Sequence, residues 1–198
     1  MSKLILDNLL GSRVRVKLLK FFYRQHPATM SMSELVVRVQ EPAFIVRREL
    51  LTLQQIGLIT KHRATKNTPE RFGLREEFDF FTELQDLILK PSPSETDLLV
   101  RRINALGRIK LAVVAGIFVS QPDDTTYETP ADLFIVGDDV DRAKLTKFLK
   151  SLESEMGTEI RFGVMEKDEF KYRYEMFDRF LRVLLEGPHR KIINKLEM

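Results

Sequence analysis

The sequence predicts an α+β chain built from two domains, on three observations. First, Ser31 to Arg75 reads as a short helix, a turn, a longer helix closed by glycine, and a basic hairpin. Second, Lys90-Pro91-Ser92-Pro93-Ser94 interrupts both helix and strand, with two prolines and a polar spacer. Third, the stretch beyond it alternates Val- and Ile-rich runs that are apolar on both faces with amphipathic helices, the pattern of a small covered sheet. The expected division is residues 1–90, a linker at 91–95, and residues 96–198.

Composition bounds what such a chain can be. With 43% hydrophobic and 31% charged residues over 198 positions, the chain can bury one large core or two small ones. No run reaches the roughly 18 uninterrupted apolar residues of a membrane span. The start, MSKLILDNLLGSR, carries Asp7 and no small-residue cleavage site, so no signal peptide is expected. The absence of cysteine excludes disulfides and Cys-ligated zinc and makes a cytoplasmic location the default. Net charge is +3 but uneven: residues 1–90 hold 15 Lys and Arg against 10 Asp and Glu, residues 91–198 hold 17 against 19. A nucleic-acid surface is therefore expected in the first half.

Taken in order, Ser12 to Gln25 is the first helix, with Ser12 as N-cap and Val14, Leu18, Phe21 and Phe22 as its apolar face. Val16, Leu19 and Tyr23 broaden that face, which predicts burial against two partners, the domain core and a second subunit. Arg13, Arg15 and Lys17 lie on the basic side. Ser31 with Glu34 fits a capping box, in which each side chain takes one unpaired backbone N–H of the other residue. Pro42 suits the first turn of the next helix, where its missing N–H costs nothing. From there Ala43, Val46, Leu50 and Leu53 make a buried stripe, and Phe44, Arg47, Arg48 and Gln55 occupy the opposite face. Gly57 ends the helix at a position that favours positive φ.

The run RRELLTLQQIGLITKHR resembles the third helix and first wing strand of a winged helix-turn-helix domain of the ArsR type, and GSRVRVKLL resembles the start of many small winged-helix regulators. The resemblance implies that the long helix enters the DNA major groove and that the hairpin touches the neighbouring backbone. Base reading would then fall to Phe44, Arg47 and Arg48, since Arg can take guanine bidentately and an aromatic edge can meet a thymine methyl. Phosphate contacts would fall to Lys61, Arg63, Lys66 and Arg71, which set register rather than sequence. A solvated helix followed by an ordinary charged hairpin, and a winged helix that binds protein, are the competing readings. Glu76 to Leu89 is a further helix. It and the first helix are the candidates for dimerisation, with packing on the second domain as the alternative.

In the second half, a helix from Ser94 or Glu95 ends near Gly107. Lys110–Val119, Ala131–Gly137 and Thr158–Met165 are strands; Asp141–Met156 and Glu166–Leu185 are helices; GPHRKIINKL closes as a short strand and tail. From Ile109 to Ile193 this order resembles the minimal nucleotidyltransferase fold. Active members carry a Gly-Ser pair after the first strand, two Asp at i, i+2 on the next and a third carboxylate later, which together hold metal and phosphates. Here Gly116 survives, Ile117 and Gln121 replace polar motif positions, Pro130-Ala131-Asp132 leaves one Asp, and Arg161 stands at the third carboxylate position. One carboxylate is a poor magnesium site, so Gly116 and Asp132 mark a vestigial nucleotide site, with no catalytic residues, metal or cofactor expected. Asp132 is expected to cap a strand or bind a nearby Arg. Asp123, Asp124 and Glu128 are better read as a solvated acidic loop than as replacement ligands. His26, His62 and His189 share no ligand spacing. The aromatic run Phe170, Tyr172, Tyr174, Phe177, Phe180 is read as core packing ahead of a base-stacking surface.

The function expected is a sequence-specific, homodimeric DNA-binding transcriptional regulator. Double-stranded DNA is its partner, and its inactive second domain serves dimerisation or the sensing of a nucleotide or small-molecule effector. The alternatives are an active nucleotidyltransferase with a winged-helix targeting module, and a toxin–antitoxin-like protein-interaction module.

Overall fold

A computed structural model describes residues 5–64, 68–90, 93–119 and 129–196. The chain is α+β and divides into two compact units: residues 1–90 together with 151–159, and residues 91–150 together with 160–198.

The first unit is organised on the helix α2 (Arg13–Gln25), preceded by the short α1 (Ile5–Leu9). Ser12 caps α2 as expected, its hydroxyl accepting from the Arg15 N–H at 3.3 Å. Almost the whole circumference of α2 is buried, from Val14 to Tyr23, Lys17 and Lys20 included. Lys17 survives burial because its ammonium donates to the Val39 carbonyl at 3.0 Å and meets Glu41 at 2.6 Å. The breadth of the apolar face has a source other than the second subunit expected for it. Residues 151–159 lie against α2, where Gly157 (φ +72°) sits so close that a Cβ would stand 2.5 Å from the Phe21 Cα. Arg13 pairs with Glu155 at 2.9 Å, and the Arg24 guanidinium donates to the Met156 carbonyl.

Around α2 stand α3 (Met32–Val39), α4 (Ala43–Gln55) and α5 (Phe81–Leu89). The capping box of α3 is present in full: the Ser31 hydroxyl accepts from the Glu34 N–H, and the Ser31 N–H donates to the Glu34 carboxylate at 2.6 Å. Pro42 stands one position earlier than expected, as the N-cap of α4, its carbonyl accepting from Ile45 and Val46. Gly57, at φ +81°, lets the chain leave α4 and start β2 (Ile59–His62), which pairs antiparallel with β3 (Arg71–Leu74). A two-residue strand, β1 (Met30–Ser31), adds to the far edge of β3 through Met30↔Phe72, giving the order β1-β3-β2. Leu35, Val39, Val46, Leu50, Leu53, Leu58, Phe72 and Ile88 close on α2 as one core. Helix α5 begins later than expected, because residues 75–81 are spent on successive turns, Phe78 N–H to Arg75 C=O and Phe81 N–H to Phe78 C=O.

In the second unit α6 (Pro93–Asn104) leads into β4 (Arg108–Ala115) and a single 3-10 turn over Gly116–Phe118. β5 (Leu133–Asp138), α7 (Arg142–Met156, whose residues from Ser151 on belong to the first unit), β6 (Phe162–Met165), α8 (Lys167–Glu175), α9 (Arg179–Glu186) and β7 (His189–Asn194) follow. The sheet order is β6-β5-β4-β7; β5 and β6 are parallel, and β4 runs antiparallel to both of its neighbours. The two Val- and Ile-rich runs occupy its centre, buried on both faces as their composition requires. On one face Leu111, Val113, Phe134 and Val136 meet Phe170, Leu181 and Leu184 of α8 and α9.

The helix expected over 166–185 is two helices. It breaks at Met176–Asp178, where Phe177 takes a left-handed backbone (φ 53°) usually filled by glycine. For a bulky side chain this costs on the order of 1–2 kcal/mol. Three backbone bonds hold it: Met176 N–H to Tyr172 C=O, Phe177 N–H to Tyr174 C=O and Asp178 N–H to Arg173 C=O. Asp178 then caps α9 through the Leu181 N–H at 3.2 Å.

Candidate nucleic-acid interface

Helix α4 is anchored from behind and bare in front. Val46, Leu50 and Leu53 are buried in the core. Between them lies Glu49, only 2% exposed, a carboxylate that sequence periodicity did not single out. It is held by Arg15 of α2, whose Nε and Nη2 approach Oε2 at 3.0 and 2.9 Å; Arg15 also donates to the Leu10 carbonyl. A buried acid so paired fixes the rotation of α4 about its axis, because turning the helix would strand the charge. The outward face is thereby set. Phe44 is 72% and Leu51 53% exposed, and Arg47 and Arg48 are both exposed beside them. Arg48 leans on the other Glu49 oxygen at 3.3 Å; Arg47 has no hydrogen-bond or ion-pair partner among the described residues. Leu51 was not anticipated, although it lies seven residues after Phe44 on the same helical line.

The hairpin residues divide. Arg63 is exposed and unpaired among the described residues. Lys61 is exposed but pairs with Glu70, the residue before β3. Lys66 lies outside the described residues. Arg71 turns inward: it donates through Nε to the Thr29 hydroxyl at 3.0 Å, and through Nη2 to the Thr29 carbonyl and to Glu34 at 3.3 Å. Its donors tie β3 to the start of α3, so it is a strut of the small sheet rather than an open cation. Glu34 in turn has its carboxyl held below the usual Glu range, first by the Ser31 backbone N–H, then by the Ser31 hydroxyl, with Arg71 and Arg38 adding. On α2, Arg13, Arg15 and Lys17 all have carboxylate partners within the first unit.

In the second unit the structure brings together Gly116, Asp132 and Arg161. Gly116 turns at φ +47° against Asp132, where a Cβ would fall 2.2 Å from Oδ1. The Asp132 carboxylate is 1% exposed and fully engaged. It accepts from the Ile117 N–H at 3.3 Å, the Arg161 N–H at 3.0 Å, and the Arg161 Nε and Nη2 at 3.1 and 3.0 Å. The expectation that Asp132 binds a nearby Arg is met by the residue at the third carboxylate position. A divalent cation does not fit here: both oxygens are spent, and a guanidinium stands where a second ligand would be needed. A cleft of about 450 Å³ adjoins this cluster, lined by Thr129, Pro130, Arg161, Arg179, Phe180 and Val183. Among the described residues no three His, Asp or Glu side chains converge on a metal-sized site. Asp123, Asp124 and Glu128 lie outside the described residues. His26 meets Glu76, His62 lies beside Thr60, and His189 donates through Nδ1 to the Gly187 carbonyl, so the three histidines serve separate local contacts. No described helix is long and apolar enough to cross a membrane.

Comparison with protein-family models, with curated proteins and with solved structures gave no match to this chain.

Proposed function

We propose that the chain is a sequence-specific DNA-binding transcriptional regulator acting as a homodimer, with a winged helix-turn-helix in its first unit and a non-catalytic nucleotidyltransferase-like second unit. The observation that carries this reading is the face of α4: a helix locked by the buried Glu49–Arg15 pair presents Phe44, Arg47 and Arg48 outward. Arg47 has uncommitted donors for guanine, and Phe44 offers an apolar edge to a thymine methyl. Arg63 and Lys61 on the hairpin supply the phosphate contacts, with Lys66 a further candidate.

The non-catalytic reading of the second unit is supported by Asp132, whose carboxylate is neutralised by Arg161. The cleft beside Arg161 and Arg179 keeps a positive lining suited to a nucleotide or another small anionic effector. Active transfer of a nucleotidyl group is the alternative class; incubation with labelled nucleoside triphosphates and magnesium, with label appearing on any acceptor, would establish it.

The deciding experiment is selection from a randomised duplex library, with the selected sequences re-tested across a salt series. A two-fold symmetric site bound with steep salt dependence is the expected outcome. Salt-dependent binding without enrichment would remove the sequence-specific part, and no binding at low salt would remove the DNA reading altogether.

A further inference from the structure

Four large apolar side chains are exposed within six residues at the junction of α8 and α9: Tyr172 64%, Tyr174 49%, Met176 63% and Phe177 80%. Nothing in the proposed DNA contact uses them. Phe177 protrudes from a left-handed turn where glycine would be relaxed, and a strained backbone that presents a bare ring points to a contact for that ring. It stands at the rim of a cleft of about 450 Å³, floored by Leu111, Phe170, Leu181 and Leu185, with Tyr174 stacked on Phe170 at 5.9 Å. One face thus carries both a knob and a hole. Glu175 and Lys191 flank the same cleft, and each is exposed with no ion-pair partner among the described residues.

We propose that this face of the second unit binds a second copy of the chain about a two-fold axis, with Phe177 of each copy entering the cleft of the other. Two-fold contact requires a self-complementary surface, which a knob beside a hole and an unpaired acid beside an unpaired base supply. Glu175 of one copy then meets Lys191 of the other. Of the exposed side chains, Tyr174 and Phe177 line the cleft itself, 49% and 80% exposed, and the partner copy would cover both. β7, an outer strand of the sheet, carries Arg190 and Lys191, which disfavours continuation of the sheet into a neighbour along that edge. The inference supplies a surface for the dimer of the proposed regulator but does not depend on DNA binding.

The test is sedimentation equilibrium of the full chain without DNA, for wild type, Phe177→Glu, Glu175→Lys, Lys191→Glu and the double charge reversal. All three positions are exposed, and circular dichroism checks that each variant keeps its fold. Wild type is expected to be a dimer and Phe177→Glu a monomer. Each single reversal should weaken association about tenfold, and the double reversal should restore it to within about threefold. A monomeric wild type, open-ended oligomers, or a dimer indifferent to Phe177→Glu would overturn the assignment. A dimer obeying the charge pattern in a protein that ignores DNA would uphold it while removing the regulator reading.

Discussion

Arg161→Ala is the substitution that most directly probes the second unit. It removes two of the four hydrogen bonds that the Asp132 carboxylate accepts and leaves those from the Ile117 and Arg161 N–H groups. The carboxylate is 1% exposed and the guanidinium 57%, so the loss falls on a buried charge while the departing partner was largely hydrated. Bonds to charged groups contribute about 1.5–3 kcal/mol each, and breaking a buried pair costs about 3–5 kcal/mol. The exposure of Arg161 and the two surviving donors place the expected loss at the low end, about 3 kcal/mol. In urea denaturation followed by circular dichroism this is a fall of about 1–2 M in midpoint at unchanged slope. If the two units unfold in separate steps, the fall belongs to the second unit's step alone. In an Asp132→Asn background the same substitution should cost about 1 kcal/mol, since the buried charge is gone. A loss below about 1 kcal/mol in the parent, or an equal loss in both backgrounds, would refute the view that Arg161 neutralises this site.

Other expectations are simpler. Arg47→Ala should cost about 1–3 kcal/mol at the selected DNA site and relax base preference, whereas Arg63→Ala should weaken all sequences alike and lower the salt slope by about 1. Equal losses on selected and random DNA for both variants would count against these roles. Tyr23→Phe removes a buried hydroxyl that finds no partner among the described residues, and burial pushes that phenol's pKa well above its usual value. Thermal denaturation should show stability unchanged or raised by about 1 kcal/mol; a clear loss would mean the hydroxyl is satisfied after all. Ser31→Ala should cost about 1 kcal/mol through the lost cap. The folded state holds the Glu34 carboxyl below its ordinary value of 4.5, so that share of stability is present above about pH 4.5 and fades as pH falls further. The gap between wild type and Ser31→Ala should narrow in acid; a gap constant down to pH 3 would contradict it.

What the sequence disclosed was chiefly what short-range chemistry decides. Ser12, the Ser31–Glu34 box and Gly57 act on neighbours within a few residues, and each does in the structure what its type and position suggested. The central strands β4 and β5 were visible because burial on both faces leaves an uninterrupted apolar run. The misses are long-range. β1 is two residues that become a strand only by pairing with Arg71 and Phe72, some forty positions on. The break at Phe177 was hidden because neither Gly nor Pro marks it. Arg71 looked like a wing cation because nothing nearby in sequence shows that Thr29 and Glu34 claim it. The breadth of α2 signals burial on two sides, but its second partner is residues 151–159 of the same chain. In the candidate interface, the type of face on α4 was legible from its apolar stripe. The Glu49–Arg15 anchor was not, being a pair 34 residues apart.

On the proposed DNA reading, the outward line on α4 also limits how much a single copy could distinguish. Phe44, Arg47 and Leu51 recur at three- and four-residue steps, and from first to last they span about 10.5 Å of helix rise. Base pairs are stacked about 3.4 Å apart, so on the proposed reading one helix samples about three of them. Three base pairs admit only about 64 combinations, each recurring by chance every few dozen positions of any genome. A lone copy would therefore be nearly blind to address. Two copies joined at a fixed spacing multiply their alphabets, and recognition becomes a property of the distance between helices as much as of the residues on them.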